Sequence, residues 1–304
     1  MSTDISEVEA ADICCASCGK AEVDDTKLKQ CDGCDLARYC SDACKEDHRP
    51  EHEAKCKERA AELRDELLFK QPEGSYLGDC PICCLPLPLD PYSRNRVQPC
   101  CTKVICDGCS HANALRHLQE KIQLTCPFCR HSAAETREEM ETNKMKRIAA
   151  NDPVAISRMG YRHLTEGDYD GAFKYFTKAA QFGDVVAHYE LSVMYRKGEG
   201  VEKDNKKAMY HLEEAAIRGH PNARYNLGVY EGRKGNHERA VKHYIMAANL
   251  GLDGAIQVLK DHYKHGDVSK DDFAAALRAH HSAVVATKSP QREAAAKYYT
   301  SRHK

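Results

Sequence analysis

Three segments in the second half of the chain share one pattern of small, apolar and polar positions. They are AFKYFTKAAQFG (172–183), AMYHLEEAAIRG (208–219) and AVKHYIMAANLG (240–251), which align without gaps and start 36 and 32 residues apart. Each begins with alanine, has an alanine pair seven and eight positions later, and ends with glycine three positions after that pair. Small residues at helical spacing permit close packing, and a glycine after the last turn suits a left-handed cap. The pattern predicts three packed helices with glycine caps.

A second kind of helix is predicted between these segments. In AHYELSVMYRKGEGVEKD, Leu191 and Tyr195 lie on one helical face, and a glycine-containing turn follows. The third repeat lacks four residues at this turn, which explains its shorter spacing. A degraded fourth copy covers 254–285, as expected at the end of a repeat stack. We therefore expect an all-α solenoid of about four helical hairpins over residues 153–287.

These predicted hairpins resemble Sel-one-like repeats, which are relatives of the tetratricopeptide repeat. The resemblance implies a concave surface that binds a partner protein. In the tail, 288–304, we expect one further short helix, with Ser289 as its cap and Pro290 in its first turn.

Two polar segments are predicted to connect the modules. Residues 57–78 begin with KERAAELRDELLFK, a predicted helix in which Leu63 and Leu67 share one face. Residues 132–152 carry a run of acidic and basic side chains that is typical of a solvated helix. The first connector separates two shorter segments, 13–56 and 79–131, for which we predict small zinc-stabilised domains, and the second connector leads from the latter to the solenoid.

The cysteines are confined to one end of the chain, since all 17 lie in the first 129 of 304 residues. The N-terminal sequence MSTDISEVEAADICC is acidic and lacks the basic and apolar parts of a signal peptide. No apolar run approaches the roughly 20 residues of a membrane helix. We therefore expect a cytoplasmic or nuclear protein with reduced thiols, whose cysteines bind metal rather than form disulfides.

Charge and motif content argue against several function classes. The chain has 45 basic and 46 acidic side chains, and zinc-bound thiolates would make it more acidic. We expect no nucleic-acid partner, because such binding needs a basic surface. The sequence has no Walker-type phosphate loop, dinucleotide fingerprint or nucleophile elbow. Closed four-ligand zinc sites lack the open position that catalysis requires, so any activity must come from positioning other proteins.

The first cysteine block has the ligand spacing of a double zinc finger. C-x2-C pairs begin at Cys15 and Cys31, a C-x3-C pair follows at Cys40, and an H-x3-C pair begins at His52. Eight ligands suit two tetrahedral ions, and Cys14 falls outside the pattern. The order and spacing resemble the MYND-type zinc finger, which implies binding of short, often proline-containing peptides. The resemblance implies one zinc ion on Cys15, Cys18, Cys40 and Cys44, and a second on Cys31, Cys34, His52 and Cys56.

The second cysteine block has three C-x2-C pairs, which begin at Cys80, Cys106 and Cys126. The fourth pair is unusual because its members, Cys100 and Cys101 in QPCCTK, are adjacent. Tetrahedral zinc holds two sulfurs about 3.8 Å apart, which is also the spacing of consecutive Cα atoms. Adjacent cysteines therefore reach one ion where the backbone turns suitably.

An alternative ligand set uses only one cysteine of the adjacent pair. Cys84 or His111 would then supply the fourth ligand, and the sequence leaves this alternative open. Of the two arrangements we favour the adjacent pair.

This block resembles an all-cysteine RING finger, with Lys103 where such fingers usually have histidine. The resemblance implies that Ile82, Pro127 and Arg130 contact a ubiquitin-conjugating enzyme and the ubiquitin loaded on it. It also implies two more zinc ions, one on Cys80, Cys83, Cys106 and Cys109, and one on Cys100, Cys101, Cys126 and Cys129. The two blocks would then hold four zinc ions.

Two functions follow from these resemblances. The leading hypothesis is a RING-type ubiquitin ligase with no catalytic residue of its own, which selects its substrate through the solenoid or the MYND finger. The alternative is a non-catalytic zinc adaptor, such as a MYND-type transcriptional co-regulator, that bridges protein partners. Ile82, Pro127 and Arg130 favour the ligase, whereas Lys103 and the adjacent cysteines favour the adaptor.

Overall fold

The computed structural model describes residues 15–20, 27–34, 37–89 and 95–301. The chain forms two compact units, Met1–Lys70 and Gln71–Lys304, and each unit contains one of the cysteine blocks. Cys14, which we expected to stand outside the zinc sites, lies outside the described residues.

The first unit is a short hairpin followed by one long helix. Strands β1 (Lys29–Gln30) and β2 (Arg38–Tyr39) pair antiparallel, and helix α1 extends over Asp42–Leu68. Ser41 caps α1, because its hydroxyl accepts a hydrogen bond from the Cys44 amide at 3.2 Å. Since α1 runs without a break past residue 57, the finger and the predicted connector share one helix.

The leucines near the end of α1 differ from the sequence expectation in one respect. Leu67, which the pattern places with Leu63 on one face, is 52% exposed, whereas Leu68 is buried. The packing side at this end of α1 is thus shifted by one position, which is about 100° around the helix.

The second unit begins with a compact cysteine-rich module. Strands β3 (Arg96–Val97) and β4 (Val104–Ile105) pair antiparallel, and α2 (Asp107–Glu120) follows. So small a core needs support from metal binding, as in other zinc modules. The buried residues at its centre are Cys80, Leu87, Ile105, Cys106 and Cys109.

Ten helices follow α2 in the described part of the chain, and α4 to α11 pack as four successive hairpins. The predicted helical solenoid is thereby confirmed. Of the helices described, none combines the length and apolar character needed to span a membrane. The ten helices are α3 (Arg137–Ala149), α4 (Pro153–Thr165), α5 (Tyr169–Gln181), α6 (Val185–Lys197), α7 (Asn205–Ile217), α8 (Pro221–Arg233), α9 (His237–Asn249), α10 (Asp253–His265), α11 (Lys270–Ala286) and α12 (Pro290–Ser301).

The alanine pairs of the repeat pattern lie where the helices touch. Ala179, Ala215 and Ala247, the first alanines of the three pairs, are completely buried. Each segment also ends in a left-handed glycine, as the pattern predicted, so the chain can reverse into the next helix. These glycines are Gly183, Gly219 and Gly251, with φ values of 83°, 82° and 92°.

Two other glycines let an aromatic ring reach the backbone of the facing helix. A Cβ atom at Gly160 would lie 2.9 Å from the Phe176 ring, and one at Gly228 would lie 2.6 Å from the Tyr244 ring. A side chain at either position would push α4 away from α5, or α8 away from α9. The close helix pairing in these two hairpins therefore depends on glycine.

The cysteine-rich module of the second unit lies along the solenoid edge formed by the loops that precede α4 and α8. Thr102 Oγ1 donates a hydrogen bond to Asp152 Oδ2 at 2.6 Å, just before α4. The Tyr76 amide donates to the Gly219 carbonyl at 3.1 Å, just before α8. These contacts attach the module to the repeats at two separate points.

Tyr76 also anchors this edge through its ring. It stacks on His220 with ring centroids 4.6 Å apart and planes 13° apart, and His220 stacks on Tyr189 at 4.3 Å. Burial lowers the pKa of His220 to about 4, so its imidazole is neutral at pH 7. The stack is thus an uncharged aromatic sandwich inside the second unit.

The last helix, α12, returns to the cysteine-rich module. The Arg292 amide donates to Ser289 Oγ at 3.3 Å, and Pro290 opens the helix, in agreement with the expected cap and first turn. Helix α12 packs against α2, where the Tyr298 ring lies 4.5 Å from the His111 ring. The sequence pattern predicted this helix but not its packing partner.

Candidate zinc sites and partner-binding surfaces

The first unit brings four predicted ligands together around the start of α1, namely Cys15, Cys18, Cys40 and Cys44. The Cys40 sulfur lies 3.6 Å from the Cys18 sulfur and 3.7 Å from the Cys44 sulfur. Two thiolates on one tetrahedral zinc ion are about 3.8 Å apart, so the spacing fits. Cys40 directly follows β2 and Cys44 lies in the first turn of α1, so the hairpin and the helix start set their positions.

The second group of this unit joins the end of β1 to the middle of α1, through Cys31, Cys34, His52 and Cys56. The Cys31 and Cys56 sulfurs are 3.6 Å apart, and His52 Nε2 lies 3.3 Å from the Cys34 sulfur. His52 and Cys56 are four residues apart on α1 and therefore lie on one face. The His52 ring is held by stacking on His48, with ring centroids 5.6 Å apart.

The thiols of the first group differ in how readily they lose their protons. Burial acts to raise the pKa of Cys15, but amide hydrogen bonds from Cys18 and Cys40 outweigh it and lower the pKa to about 6. Hydrogen bonding to Cys18 has the opposite effect on Cys40 and raises its pKa to about 12. The same N–H donors suit a zinc-bound thiolate, so the backbone around Cys15 fits a metal site.

Three of the C-x2-C pairs form the same backbone turn. In each, the first cysteine accepts a hydrogen bond from the amide four residues later, at 2.8–2.9 Å. The residue that donates this bond adopts a left-handed conformation, which a non-glycine residue rarely does. The first cysteines are Cys15, Cys80 and Cys126, and the left-handed residues are Gly19, Cys84 and Arg130.

The adjacent pair occupies a fourth turn of this kind. Gln98 stands where the first cysteine stands in the others, since the Thr102 amide donates to its carbonyl at 2.8 Å and Thr102 has φ 57°. Cys101 then occupies the usual second ligand position, and Cys100 is the residue before it. The turn thus directs both sulfurs to one side, as two adjacent cysteines require if they are to bind one zinc ion.

These two sulfurs meet the last C-x2-C pair. The Cys100 and Cys129 sulfurs are 3.4 Å apart, and those of Cys101 and Cys126 are 3.9 Å apart. The structure therefore groups the adjacent pair with Cys126 and Cys129. The alternative ligands lie elsewhere, because Cys84 is exposed on its own turn and His111 is buried against α12.

The group of Cys80, Cys83, Cys106 and Cys109 receives a side chain from the far end of the chain. The Cys83 and Cys106 sulfurs are 3.8 Å apart. Arg292 of α12 donates a hydrogen bond to the Cys83 sulfur at 3.4 Å. Arg292 belongs to no motif in the sequence that would predict this contact.

Arg292 also holds the backbone of the same turn. Its guanidinium donates to the carbonyl oxygens of Pro86 at 2.6 Å and Leu85 at 3.1 Å. Burial alone would lower the pKa of Arg292, but the sulfurs of Cys106 and Cys83 outweigh it and raise the pKa above its usual value. A permanent positive charge therefore lies beside a group of four thiols.

The donor sets and distances of these groups fit zinc rather than disulfide bonds. All 16 described cysteines are free. Sulfur separations of 3.4–3.9 Å are far longer than a disulfide bond of about 2.05 Å. Four groups of four ligands, three all-cysteine and one with histidine, match the donor chemistry of structural zinc.

The three residues assigned to conjugating-enzyme docking differ in exposure. Ile82 is 42% exposed between the two cysteines of its turn, and Pro127 is half-buried in the last turn. Arg130 is exposed, and its left-handed backbone, with φ 60°, fixes the direction in which its side chain leaves the turn. Two further apolar residues are exposed here, Leu124 before the last turn and Phe128 within it.

The solenoid has a groove of about 390 Å³ between α6, α7 and α8. Its apolar lining includes Val193, Met209 and Val229, which come from the three different helices. Two exposed arginines, Arg196 and Arg233, also line it. The tyrosine and alanine pattern of the sequence did not identify this groove.

Comparison with known families identifies two of the modules. Residues 15–56 match the MYND finger family, and residues 153–184, 185–220 and 221–252 each match the Sel1 repeat family. The chain contains a MYND finger and three Sel1 repeats. For the second cysteine-rich module, the two four-cysteine groups of the structure suggest a RING-like finger.

Similar curated proteins match only a part of this chain. The chitin synthase regulator SKT5 of Saccharomyces cerevisiae is 39% identical over 66 residues, which are 21% of this chain and 10% of that protein. Chitin synthase regulatory factor 4 of Schizosaccharomyces pombe is 33% identical over 86 residues, which are 28% of this chain and 14% of that protein. The chain thus covers a small part of these curated relatives.

A solved structure of similar type is the Sel1 repeat protein from Oxalobacter formigenes. It has 28% sequence identity and a TM-score of 0.43, over 50% of this chain and 65% of that chain.

Sel1 repeats mediate protein–protein interactions, and the MYND finger is a zinc-binding module. Together they indicate a protein-interaction protein.

Proposed function

We propose that this protein is a zinc-dependent adaptor that binds one partner through its MYND finger and another through its Sel1 repeats. The observation that carries the proposal is the groove between α6, α7 and α8. Its apolar lining is combined with the guanidinium groups of Arg196 and Arg233. An apolar groove edged with arginine suits a peptide that carries both apolar and acidic side chains.

Two further features support this adaptor. The RING-like module is attached to the edge of the repeats by Thr102 and Tyr76, so the second unit presents the module and the groove from a common scaffold. The relatives in Saccharomyces cerevisiae and Schizosaccharomyces pombe are named as a regulator and a regulatory factor of an enzyme. A regulatory, non-catalytic role agrees with closed zinc sites.

Peptide selection on the immobilised, zinc-loaded full chain tests the adaptor. We expect two peptide classes, one acidic with apolar residues and one containing proline, that bind at the same time. Arg196→Glu and Arg233→Glu should each weaken the acidic class at least about tenfold, because each converts an attraction into a repulsion. Lys260→Glu, the same charge change on an exposed residue of α10, should have no such effect. Mutual competition between the classes, or equal binding by all variants, contradicts the proposal.

The second candidate function is a RING-type ubiquitin ligase, and the exposure of Ile82 and Arg130 favours it. An aliphatic side chain that is 42% exposed inside a zinc turn is available for docking. The last turn adds Arg130, whose planar head suits hydrogen bonds to two proteins at once. Such a ligase would act by holding a loaded conjugating enzyme in a reactive arrangement.

Discharge of ubiquitin from a panel of preloaded conjugating enzymes separates the two functions. A ligase is expected to accelerate discharge, and Ile82→Ala and Arg130→Ala should each remove most of that acceleration while zinc content stays unchanged. Leu118→Ala, which changes an exposed leucine of α2, is the matched control. If the zinc-loaded chain accelerates no enzyme of the panel, the ligase function is wrong and the adaptor stands alone.

A further inference from the structure

Three side chains near the end of the solenoid bring nitrogen and oxygen donors together, away from the cysteine groups. His237 is the first residue of α9, His262 lies in the last turn of α10, and Asp267 follows the turn at Gly266. Their potential ligand atoms all lie within 4.8 Å of one another. The three residues thus join two helices and a loop.

The closest pair already has nearly the spacing of two ligands on one metal ion. His262 Nδ1 and Asp267 Oδ2 are 2.8 Å apart. With bond lengths of about 2.1 Å, a tetrahedral zinc ion holds two ligand atoms about 3.4 Å apart, so a small opening of this pair admits the ion. His237 is exposed at the start of its helix, so its side chain is free to turn towards the pair.

The His262 ring is held in place from both sides. Its centroid lies 5.6 Å from the buried Tyr244 ring and 6.3 Å from the His237 ring. The ring held in this way keeps its Nδ1 atom beside the Asp267 carboxyl group.

A second His–Asp pair in the solenoid shows what the last one has in addition. His163 and Asp168 have the same five-residue spacing around a left-handed glycine, and His163 Nδ1 lies 2.7 Å from Asp168 Oδ2. There the histidine ring stacks on Tyr175 at 5.0 Å. A His–Asp pair by itself only joins the last turn of a helix to the loop that follows. The pair of His262 and Asp267 differs because His237 lies beside it.

We propose that His237, His262 and Asp267 form a fifth metal site, which binds Zn²⁺ or a similar divalent transition-metal ion. Two imidazole nitrogens and one carboxylate oxygen are harder donors than cysteine sulfur. Three protein ligands also leave at least one coordination position on the ion for water. Since the ligands come from α9, α10 and the turn before α11, a bound ion ties the third Sel1 repeat to the last hairpin. The site is thus a metal-dependent brace at the end of the solenoid.

Calorimetric titration of Zn²⁺ into the full chain, with its cysteine groups already loaded, tests this site. We expect one additional ion per chain, bound at least about tenfold more weakly by His237→Ala, because one of three ligands is lost. His163→Ala removes a histidine from the matched clamp and should bind the additional ion as the unchanged chain does. His237 is exposed, so its replacement leaves the fold intact, which circular dichroism verifies.

Thermal unfolding gives an independent readout of the same ion. Excess Zn²⁺ should raise the unfolding temperature of the unchanged chain and of His163→Ala but not of His237→Ala, since only a ligand of the folded state stabilises it. An absence of any additional ion overturns the proposal. So does an additional ion that His237→Ala binds as tightly as the unchanged chain.

Discussion

Cys100→Ser and Cys101→Ser are each expected to reduce the number of zinc ions held by the cysteine groups of the full chain from four to three. Both sulfurs face the last C-x2-C pair, at 3.4 Å and 3.9 Å from their partners. Serine binds zinc poorly, because a neutral hydroxyl replaces a thiolate. Loss of a direct ligand should exceed the roughly 10- to 100-fold weakening that follows loss of an outer hydrogen-bond partner.

Native mass spectrometry measures this effect directly, since it counts zinc ions per chain. Cys84→Ser is the matched control, because Cys84 neighbours a ligand but lies exposed on its own turn. It should retain all four ions. The opposite result, with zinc lost from Cys84→Ser and kept by Cys100→Ser, would show that the adjacent pair does not act as a pair of ligands.

The spacing of the cysteines predicted which residues could be ligands, because a C-x2-C pair specifies a short turn. Which turns meet around one ion came from the resemblance to MYND and RING fingers, since the four pairs of each block can be combined in several ways. The adjacent cysteines were harder, since their turn is identified by Gln98 and the left-handed Thr102 rather than by a second spaced cysteine. A backbone conformation of this kind leaves no sequence signal when the residue is not glycine.

The solenoid was predictable for a similar reason. Alanine at fixed spacing marks the points of helix contact, and glycine marks the helix ends, so the repeat pattern encodes neighbouring packing. The groove with Arg196 and Arg233 was not predictable, because the two arginines are 37 residues apart in the sequence. They line the same groove only because α6 and α8 lie side by side in the fold. Neither charge belongs to the repeating pattern.

Contacts between distant parts of the chain explain the remaining differences. The tail was expected to form a helix with no defined partner, yet it contributes Arg292 to a cysteine group 209 residues earlier. The RING-like module therefore extends beyond residues 79–131 in structural terms. A chain cut before residue 288 would lack the cation that lies beside Cys83.

Arg292→Ala is therefore expected to weaken zinc binding by the group of Cys80, Cys83, Cys106 and Cys109 by roughly 10- to 100-fold. Four thiolates around one Zn²⁺ carry a net charge of −2, and the adjacent guanidinium partly compensates it. The substitution also leaves the carbonyl oxygens of Leu85 and Pro86 without their charged donor. Loss of the charge favours the metal-free, protonated thiols, and loss of the donor weakens the hold on the chain that follows Cys83.

Transfer of zinc from the full chain to a chelating dye measures the change. One of the expected four zinc ions should leave faster in Arg292→Ala, while the ions of the MYND finger keep their rates. Arg292→Lys should restore the slow rate of zinc loss only in part. Lysine keeps the positive charge but lacks the forked guanidinium that donates to the sulfur and to the carbonyl oxygens at the same time. Arg278→Ala, on an exposed residue of α11, is the control.

A specific role of Arg292 beside the thiolates predicts the order alanine, lysine, arginine for increasing zinc retention. Simple loss of packing at α12 predicts instead that lysine behaves as alanine does, because neither side chain reproduces the contacts with Pro86 and Leu85. Equal rates for all variants would contradict both. The intermediate position of lysine is thus the result that identifies Arg292 as a residue that positions and neutralises the cysteine group.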